Sequence, residues 1–199
     1  MNTRNDLLFD KIELRHPLAS DGEALNTLLA TTPVLDGNSV QCTLLQCSHF
    51  AQTSVAAFLQ GQLVGFVSAY YPPNEPTTLF VWQVVVAQNL RDLGLGKKML
   101  HWLIEQPACA QALSLVTAIG IKNSMSWSMF DGFARDIGAL PIKSFVTPIK
   151  SSPDIAQNEY LLRISPLPNR HQALACDTDL LSDLKSSGSH ISAMRRWLD

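Results

Sequence analysis

Apolar residues recur along this chain with two periods, one typical of strands and one typical of helices. Alternating or β-branched runs between turn residues predict strands at 11–15, 53–60, 62–70, 78–86, 112–119, 142–148 and 159–165. Apolar residues three or four positions apart predict helices at 20–30, within 33–50, and at 94–106 and 123–137. This order of elements predicts an α/β (α+β) fold, in which helices flank a mixed central sheet of six or seven strands.

Cap and turn residues set several of these boundaries. Ser20 and Glu23 have the spacing of a capping box, which predicts the start of the first helix. Either Asp36 or Asn38 is expected to cap the second helix, since both residue types accept hydrogen bonds from the first helical turn. Gly61 separates two apolar runs and predicts a β-hairpin.

The chain divides into three predicted segments. Residues 1–10 are expected to form a flexible N-terminal arm, and residues 11–165 contain all the predicted strands and the four main helices. From residue 166 the chain becomes polar, and we expect a C-terminal tail with a helix over 179–197.

Composition excludes several classes of protein. The chain has 199 residues, 46% of them apolar and 16% charged, which is typical of one globular domain. A net charge of −2 argues against nucleic acid or an anionic membrane as an obligate partner. No apolar run approaches a membrane span, the N-terminus lacks a signal-peptide pattern, and we expect a cytoplasmic protein. The four cysteines lack zinc-site spacing, so no metal is predicted and most should be buried thiols.

The most informative stretch follows the strand predicted over 78–86, where Arg91-x-x-Gly94-x-Gly96 leads directly into a helix. Two glycines allow a tight turn, so that the N–H groups of the helix start face one anion. Lys97 adds positive charge beside them. The loop matches neither the Walker pattern nor the three-glycine dinucleotide fingerprint. On spacing alone, a phosphate site and an ordinary turn both remain possible.

This strand, loop and helix resemble the acetyl-CoA motif of the GNAT acetyltransferases, in which Gln/Arg-x-x-Gly-x-Gly/Ala follows a strand. Three blocks are similar more specifically to the L-2,4-diaminobutyrate acetyltransferase family of the ectoine pathway: 33–51, 78–84 and 94–100. Residues 107–109 and Asn123-x-x-x-Trp127-x-x-Phe130 also fit. The resemblance covers about residues 12–165. Within this range the chain differs from the family pattern at 117–120 and 153–158.

The resemblance implies a GNAT fold, acetyl-CoA as co-substrate, a homodimer, and acetyl transfer to the side-chain (N4) amine of L-2,4-diaminobutyrate. It also implies two sets of site residues. The residues expected to bind acetyl-CoA are Val84, Val85, Val86, Arg91, Leu93, Gly94, Leu95, Gly96, Lys97, Asn123 and Trp127. Those expected to bind the acceptor amine are Asp36, Asn38, Gln46, His49 and Trp82.

The catalytic groups are less obvious from the sequence. A thioester needs a neutral amine, and an alkyl amine is mostly protonated at neutral pH, so some group must take a proton. Many GNAT enzymes use a Glu on the central strand and a Tyr on the later helix, but Gln83 and Phe130 stand at the comparable places. Asp36 and Glu159 are the candidate proton acceptors, with a helix cap and a strand-edge charge as their respective structural alternatives.

Other site residues also have structural alternatives: Trp82 as core, His49 as a structural hydrogen-bonding residue, and Asn123 as a helix cap. Two other functions remain open at this stage. One is an acetyltransferase for another small amine or for a protein N-terminus, which leaves the 33–51 block unexplained. The other is a CoA-binding module without turnover, which the missing Glu and Tyr suggest.

Overall fold

A seven-stranded mixed sheet organises the structure, a computed structural model that describes residues 8–31, 39–145 and 159–168. The strands are β1 (Ile12–Arg15), β2 (Val55–Leu59), β3 (Gln62–Tyr70), β4 (Thr78–Val86), β5 (Ser114–Gly120), β6 (Leu140–Phe145) and β7 (Glu159–Ser165). Their spatial order is β1-β2-β3-β4-β5-β7-β6, and β4 and β5 are the parallel pair in it. The predicted fold class is confirmed.

Helices cover both faces of the sheet. Because successive side chains of a strand point to opposite faces, apolar strand residues lie on both faces and pack against these helices. They are α1 (Gly22–Ala30), α2 (Val40–Ser48), α3 (Leu95–Ile104) and α4 (Ser124–Asp136). On one face, Leu25 of α1 and Cys47 of α2 pack with Phe66 and Val85. On the other face, α3 and α4 bury apolar side chains against β2–β5: Met99, Leu100, Leu103, Phe130, Phe133 and Ala134.

Two predicted caps are wrong. The first helix begins at Gly22, after a short 3₁₀ turn, without the box expected from Ser20 and Glu23. Instead, the carboxylate of Asp21 accepts hydrogen bonds from the Leu18 N–H at 2.7 Å and from both terminal nitrogens of Arg15 at 2.7 and 2.9 Å.

The second helix is capped by Ser39, whose hydroxyl oxygen accepts from the Cys42 N–H at 3.2 Å. The prediction of Asp36 or Asn38 as this cap is wrong, and both residues lie outside the described parts of the chain.

The predicted hairpin is confirmed between β2 and β3. Gln60 and Gly61 have φ values of 52° and 79°, and two consecutive positive values match the twist of a two-residue hairpin turn. On its other edge β3 pairs with β4, the strand that precedes the glycine loop (91–96).

The parallel pairing of β4 and β5 stops halfway along both strands. Thr78–Val81 pair with Ser114–Thr117, whereas Ala118–Gly120 pair with β7 but not with β4. Trp82 is a bulge residue, since Val81 lies opposite Ala69 and Gln83 lies opposite Ser68. A gap therefore opens in the described sheet between the carboxyl-terminal halves of β4 and β5.

The predicted segment boundaries lie mostly outside the described residues, including 1–7 of the arm and the helix expected over 179–197. Leu8 and Phe9, which the prediction assigned to the arm, pack against the core. The carbonyl oxygen of Phe9 also accepts from the Lys98 ammonium at 3.1 Å. At the other end, Leu167 is buried and its N–H donates to the Leu113 carbonyl at 2.9 Å.

Candidate active site

A groove of about 440 Å³ lies between the end of β4, the loop after it, the start of α3 and one face of α4. It contains most of the residues predicted to bind acetyl-CoA: Val84, Val85, Val86, Arg91, Gly94, Leu95, Gly96, Lys97 and Asn123. These residues come from three separate parts of the chain, and the strand–loop–helix order brings them together.

A side-chain hydrogen bond and an unusual backbone conformation help to fix the loop after β4. The Nε atom of Arg91 donates to the Val86 carbonyl at 3.2 Å, which ties the loop to the end of the strand. Gly94 has φ +94°, a value that residues with a Cβ adopt only with strain, and it is the residue before α3. The N–H groups of the first helical turn lack partners within their own helix, so they are available to an anion.

At Gly96 the constraint is packing, and the flexible Met129 side chain would have to move to admit a Cβ atom. A Cβ atom at this position would overlap Sδ of Met129 on α4. A Cβ at Gly132 would lie 3.3 Å from Cδ of Lys97, so the two helices approach closely along this edge of the groove. The close approach and the free N–H groups suit a phosphate-bearing ligand, and acetyl-CoA fits this donor set.

The ammonium of Lys97 is engaged within the protein. Its Nζ lies 2.7 Å from Oδ2 of Asp136, and Nε2 of His101 lies 3.4 Å from the same oxygen. The hydrogen bond from Lys97 holds the pKa of Asp136 below its usual value. Lys97 therefore lines the groove with its charge partly balanced by a carboxylate.

Two residues predicted to bind acetyl-CoA are not on the groove lining. Leu93 packs against the core. Trp127 donates from Nε1 to the Gly120 carbonyl at 3.1 Å, and the Lys143 ammonium lies 4.3 Å from its ring centre. Trp127 thus ties the start of α4 to the end of β5.

Asn123 is a helix cap that also lies on the groove. Its Oδ1 accepts from the Ser126 N–H at 3.1 Å and caps α4, and the residue lines the groove. A capping side chain at this position keeps the start of α4 rigid where it borders the groove.

Sequence reasoning missed several groove residues, most of them on one face of α4: Leu90, Asp92, Met125, Ser126, Ser128, Met129, Gly132 and Arg135. Those on α4 recur at three- and four-residue intervals, opposite the buried Phe130 and Phe133. Small residues at Ser128 and Gly132 on the polar face were the available signal, because they allow a close approach by another element.

Two of the predicted acceptor residues, Gln46 and His49, belong to α2 and its C-cap. Gln46 is 1% exposed, its Nε2 lies 3.5 Å from the Cys42 sulfur, and its Oε1 has no hydrogen-bond partner in the described parts of the chain. His49 is exposed, and its Nδ1 lies 3.1 Å from the Ser48 hydroxyl. Asp36 and Asn38 fall outside the described residues.

Trp82 belongs to an aromatic cluster rather than to the apolar core. It is 37% exposed, and its ring centre lies 6.1 Å from that of Tyr70. Tyr70 also stacks on Phe50 at 5.2 Å and contacts Phe80 at 5.4 Å. Burial raises the pKa of Tyr70 to about 12, so its hydroxyl stays protonated at neutral pH.

Glu159 begins β7 and lies opposite Gly120, the last residue of β5. This register puts Glu159 at the end of the sheet where β4 and β5 separate, and the residue is half-buried there. Gln83 is buried and Phe130 belongs to the core, and neither side chain can exchange a proton near neutral pH. Glu159 is the carboxylate that the described strands place nearest to the gap by register.

Within residues 8–31, 39–145 and 159–168, no helix combines the length and apolar character that a membrane span requires. The same residues contain no cluster of three His, Cys, Asp or Glu side chains suited to a metal ion. Burial raises the pKa of the Cys47 and Cys109 thiols to about 11 and about 12.

Comparison with known proteins gives consistent matches. A diaminobutyrate acetyltransferase from Paenibacillus lautus, solved with its substrate L-2,4-diaminobutyric acid and coenzyme A, superposes with a TM-score of 0.73. It is 34% identical, over 78% of this chain and 95% of that one. An L-2,4-diaminobutyric acid acetyltransferase of Methylotuvimicrobium alcaliphilum is 42% identical over 63% of this chain and 73% of its own length. The corresponding protein of Vibrio cholerae is 37% identical over 75% and 87%.

The model of the acetyltransferase (GNAT) family matches residues 26–131, which extend from α1 through the groove to the middle of α4. This range includes the gap between β4 and β5 and the loop with Gly94 and Gly96. The family predicted from those glycines is confirmed, and the chain belongs to the GNAT acetyltransferases.

Proposed function

We propose that this protein transfers the acetyl group of acetyl-CoA to the side-chain amine of L-2,4-diaminobutyrate, giving N4-acetyl-L-2,4-diaminobutyrate and CoA. The observation that carries the proposal is the combination of the groove with relatives that bear this activity in their names. The ectoine pathway is the expected context. An acceptor of another kind is less well supported, because the similarity of the relatives extends beyond the CoA loop.

The groove residues have distinct proposed roles. The N–H groups around Gly94–Gly96 bind the pyrophosphate of acetyl-CoA, because a helix start and a glycine turn present several donors to one anion. The half of β4 not paired with β5, Val84–Val86, lies along the remainder of the molecule. A backbone N–H there donates to the thioester oxygen as negative charge develops on it.

The reaction then requires a proton acceptor. The neutral N4 amine forms a bond to the thioester carbonyl carbon, the carbon–sulfur bond breaks, and one proton leaves the nitrogen. Asp36 and Glu159 are the proposed acceptors, directly or through water. Glu159 is supported by its position at the gap, where it lies opposite Gly120, and Asp36 is proposed because it belongs to the polar block 33–51 that resembles the diaminobutyrate acetyltransferases.

The acceptor pocket is proposed to lie on the α2 side of β4. Asn38, Gln46 and His49 bind the α-carboxylate and α-ammonium, and Trp82 forms an apolar wall. The support is the buried Gln46 oxygen without a partner among the described residues, together with the aromatic cluster around Tyr70. Holding both α groups away from the thioester directs acetylation to N4.

We also propose a cytoplasmic homodimer that needs neither nucleic acid nor a membrane. The support for a dimer is the edge strand β6, which is exposed at every residue and carries Leu140, Ile142 and Phe145. An exposed apolar edge strand is suited to pairing with another chain. The free thiols Cys42, Cys47 and Cys109 suit a reducing compartment.

One assay separates the candidate functions. Thiol release from acetyl-CoA is measured with diaminobutyrate, ornithine, lysine or no acceptor. We expect release with diaminobutyrate well above the others. Preference for another amine would replace the proposed substrate, and CoA binding without release in any arm would indicate a binding module.

A further inference from the structure

Arg135 is a groove cation that sequence reasoning did not identify. It lies in the last turn of α4, is exposed, and lines the groove. Among the described residues its guanidinium has no hydrogen-bond or ion-pair partner. The two other groove cations are engaged, Arg91 with the Val86 carbonyl and Lys97 with Asp136. The Val86 carbonyl is neutral and does not by itself balance the charge of Arg91, but among the described groove cations Arg135 is the one whose guanidinium donors are all open to a ligand.

The position of Arg135 along the groove indicates which part of a ligand it meets. Gly96 faces Met129, and Lys97 faces Gly132, so α3 and α4 run side by side from the glycine loop onward. Arg135 lies six residues beyond Met129, about 9 Å farther along the helix. It therefore stands past the glycine loop, on the side away from the gap between β4 and β5.

CoA has its chemical groups in a fixed linear order: thioester, pantetheine, pyrophosphate and adenosine 3′-phosphate. With the thioester at the gap and the pyrophosphate at the glycine loop, the adenosine end extends past that loop. We propose that Arg135 binds the 3′-phosphate of CoA and makes the enzyme prefer CoA to 3′-dephospho-CoA. This inference depends on the proposed use of the groove for acetyl-CoA.

Arginine suits this role because its planar guanidinium forms two parallel hydrogen bonds to one phosphate. The competing explanation is structural, since a cation in the last turn of a helix interacts favourably with the helix dipole. The two explanations differ in what happens when the 3′-phosphate is removed from the ligand. Only a direct contact makes the effect of Arg135 depend on that phosphate.

The test is calorimetric titration of the full chain with CoA and with 3′-dephospho-CoA, without acceptor or turnover. We expect the unmodified protein to bind CoA about 10-fold more tightly, the scale of a charge-assisted hydrogen bond. Arg135→Gln should lose that factor for CoA and bind 3′-dephospho-CoA within twofold of the unmodified protein. Arg135→Lys should fall between them. Lys11→Gln, which removes an equal charge from an exposed residue outside the groove, should change neither affinity.

Other outcomes overturn the inference. Equal weakening for both ligands would place Arg135 at the pyrophosphate or, with a lower melting temperature, in a structural role. Equal affinity of the unmodified protein for both ligands would mean that no 3′-phosphate site exists. Failure of the unmodified protein to bind either ligand would instead refute the proposed function, and the two failures are thus distinguishable.

Discussion

Gly94 offers the sharpest test of the groove, because the structure separates its conformational role from its binding role. Its φ of +94° disfavours any residue with a Cβ, yet nothing lies within 4 Å of where that Cβ would stand. Gly94→Ala therefore introduces backbone strain without a clash inside the protein. The strain is about 1–2 kcal/mol, which lowers the melting temperature of a chain of this size by about 2–8 °C.

The effect on acetyl-CoA should be larger than this strain implies. A loop displaced from its conformation loses aligned N–H donors, and a hydrogen bond to a charged group contributes about 1.5–3 kcal/mol. Loss of one such bond raises the KM for acetyl-CoA about 10- to 100-fold. The KM for the acceptor amine should change little, because the acceptor residues are proposed to lie on the other face of the sheet.

Gly61→Ala is the matched control. Gly61 has φ +79° and also nothing within 4 Å of its Cβ position, but it lies in the β2–β3 turn, away from the groove. Both variants should lose similar stability by thermal melting, and only Gly94→Ala should weaken acetyl-CoA binding. If both lose stability equally while both keep a normal KM for acetyl-CoA, Gly94 is only a turn residue and the assigned phosphate site is wrong.

The remaining predictions concern the acceptor and the ion pair. NMR of the product should show N4-acetylation, and a predominant N2 product would reverse the proposed pocket. Asp36→Asn should lower kcat/KM for diaminobutyrate by about 10²-fold with unchanged CoA affinity. If Asp36→Asn keeps near-normal activity and Glu159→Gln loses it, Glu159 is the better candidate for the proton acceptor. Asp136→Asn should release Lys97 and lower the KM for acetyl-CoA by less than about fivefold at low salt. The pKa of Asp136 is depressed in the folded protein, so its ion pair stabilises the fold at pH values above the unfolded-state pKa of the carboxyl group. This stabilisation is lost as the pH falls through the folded-state pKa. In Asp136→Asn, the melting temperature should therefore depend less on pH over this acidic range.

Much of the fold was predictable because its strongest signals are local. The strands 78–86 and 159–165 have the bounds that their apolar patterns predicted, and the turn at Gly61 follows from the residue itself. Other boundaries differ by a few residues: β6 begins at Leu140, two residues before its predicted start at 142, while 146–148 of that prediction lie outside the described residues. Here the pairing with β7, a long-range interaction, selects the residues that join the sheet.

Two of the errors share a physical cause, which is a charged partner on another element of the fold. The capping box at Ser20 failed because Arg15 on β1 binds Asp21 and fixes the turn in front of the helix. The charge of Lys97 seemed available to a phosphate, but Asp136 lies beside it, 39 positions later in the chain. Residue types predict which interactions are possible, and the tertiary fold decides which of them form.

The bulge at Trp82 illustrates this dependence within the active strand itself. Leu79 and Val81 face α3 and α4, and strict alternation would send residues 83 and 85 to the same face. The extra residue reverses the alternation, so that Val85 packs against α1 and α2, while Val84 and Val86 face the helices that form the groove. Neither glycine nor proline marks the position, so the sequence pattern does not reveal the bulge. One inserted residue thereby turns a strand buried on both faces into one with the proposed CoA groove on one face and the proposed acceptor pocket on the other.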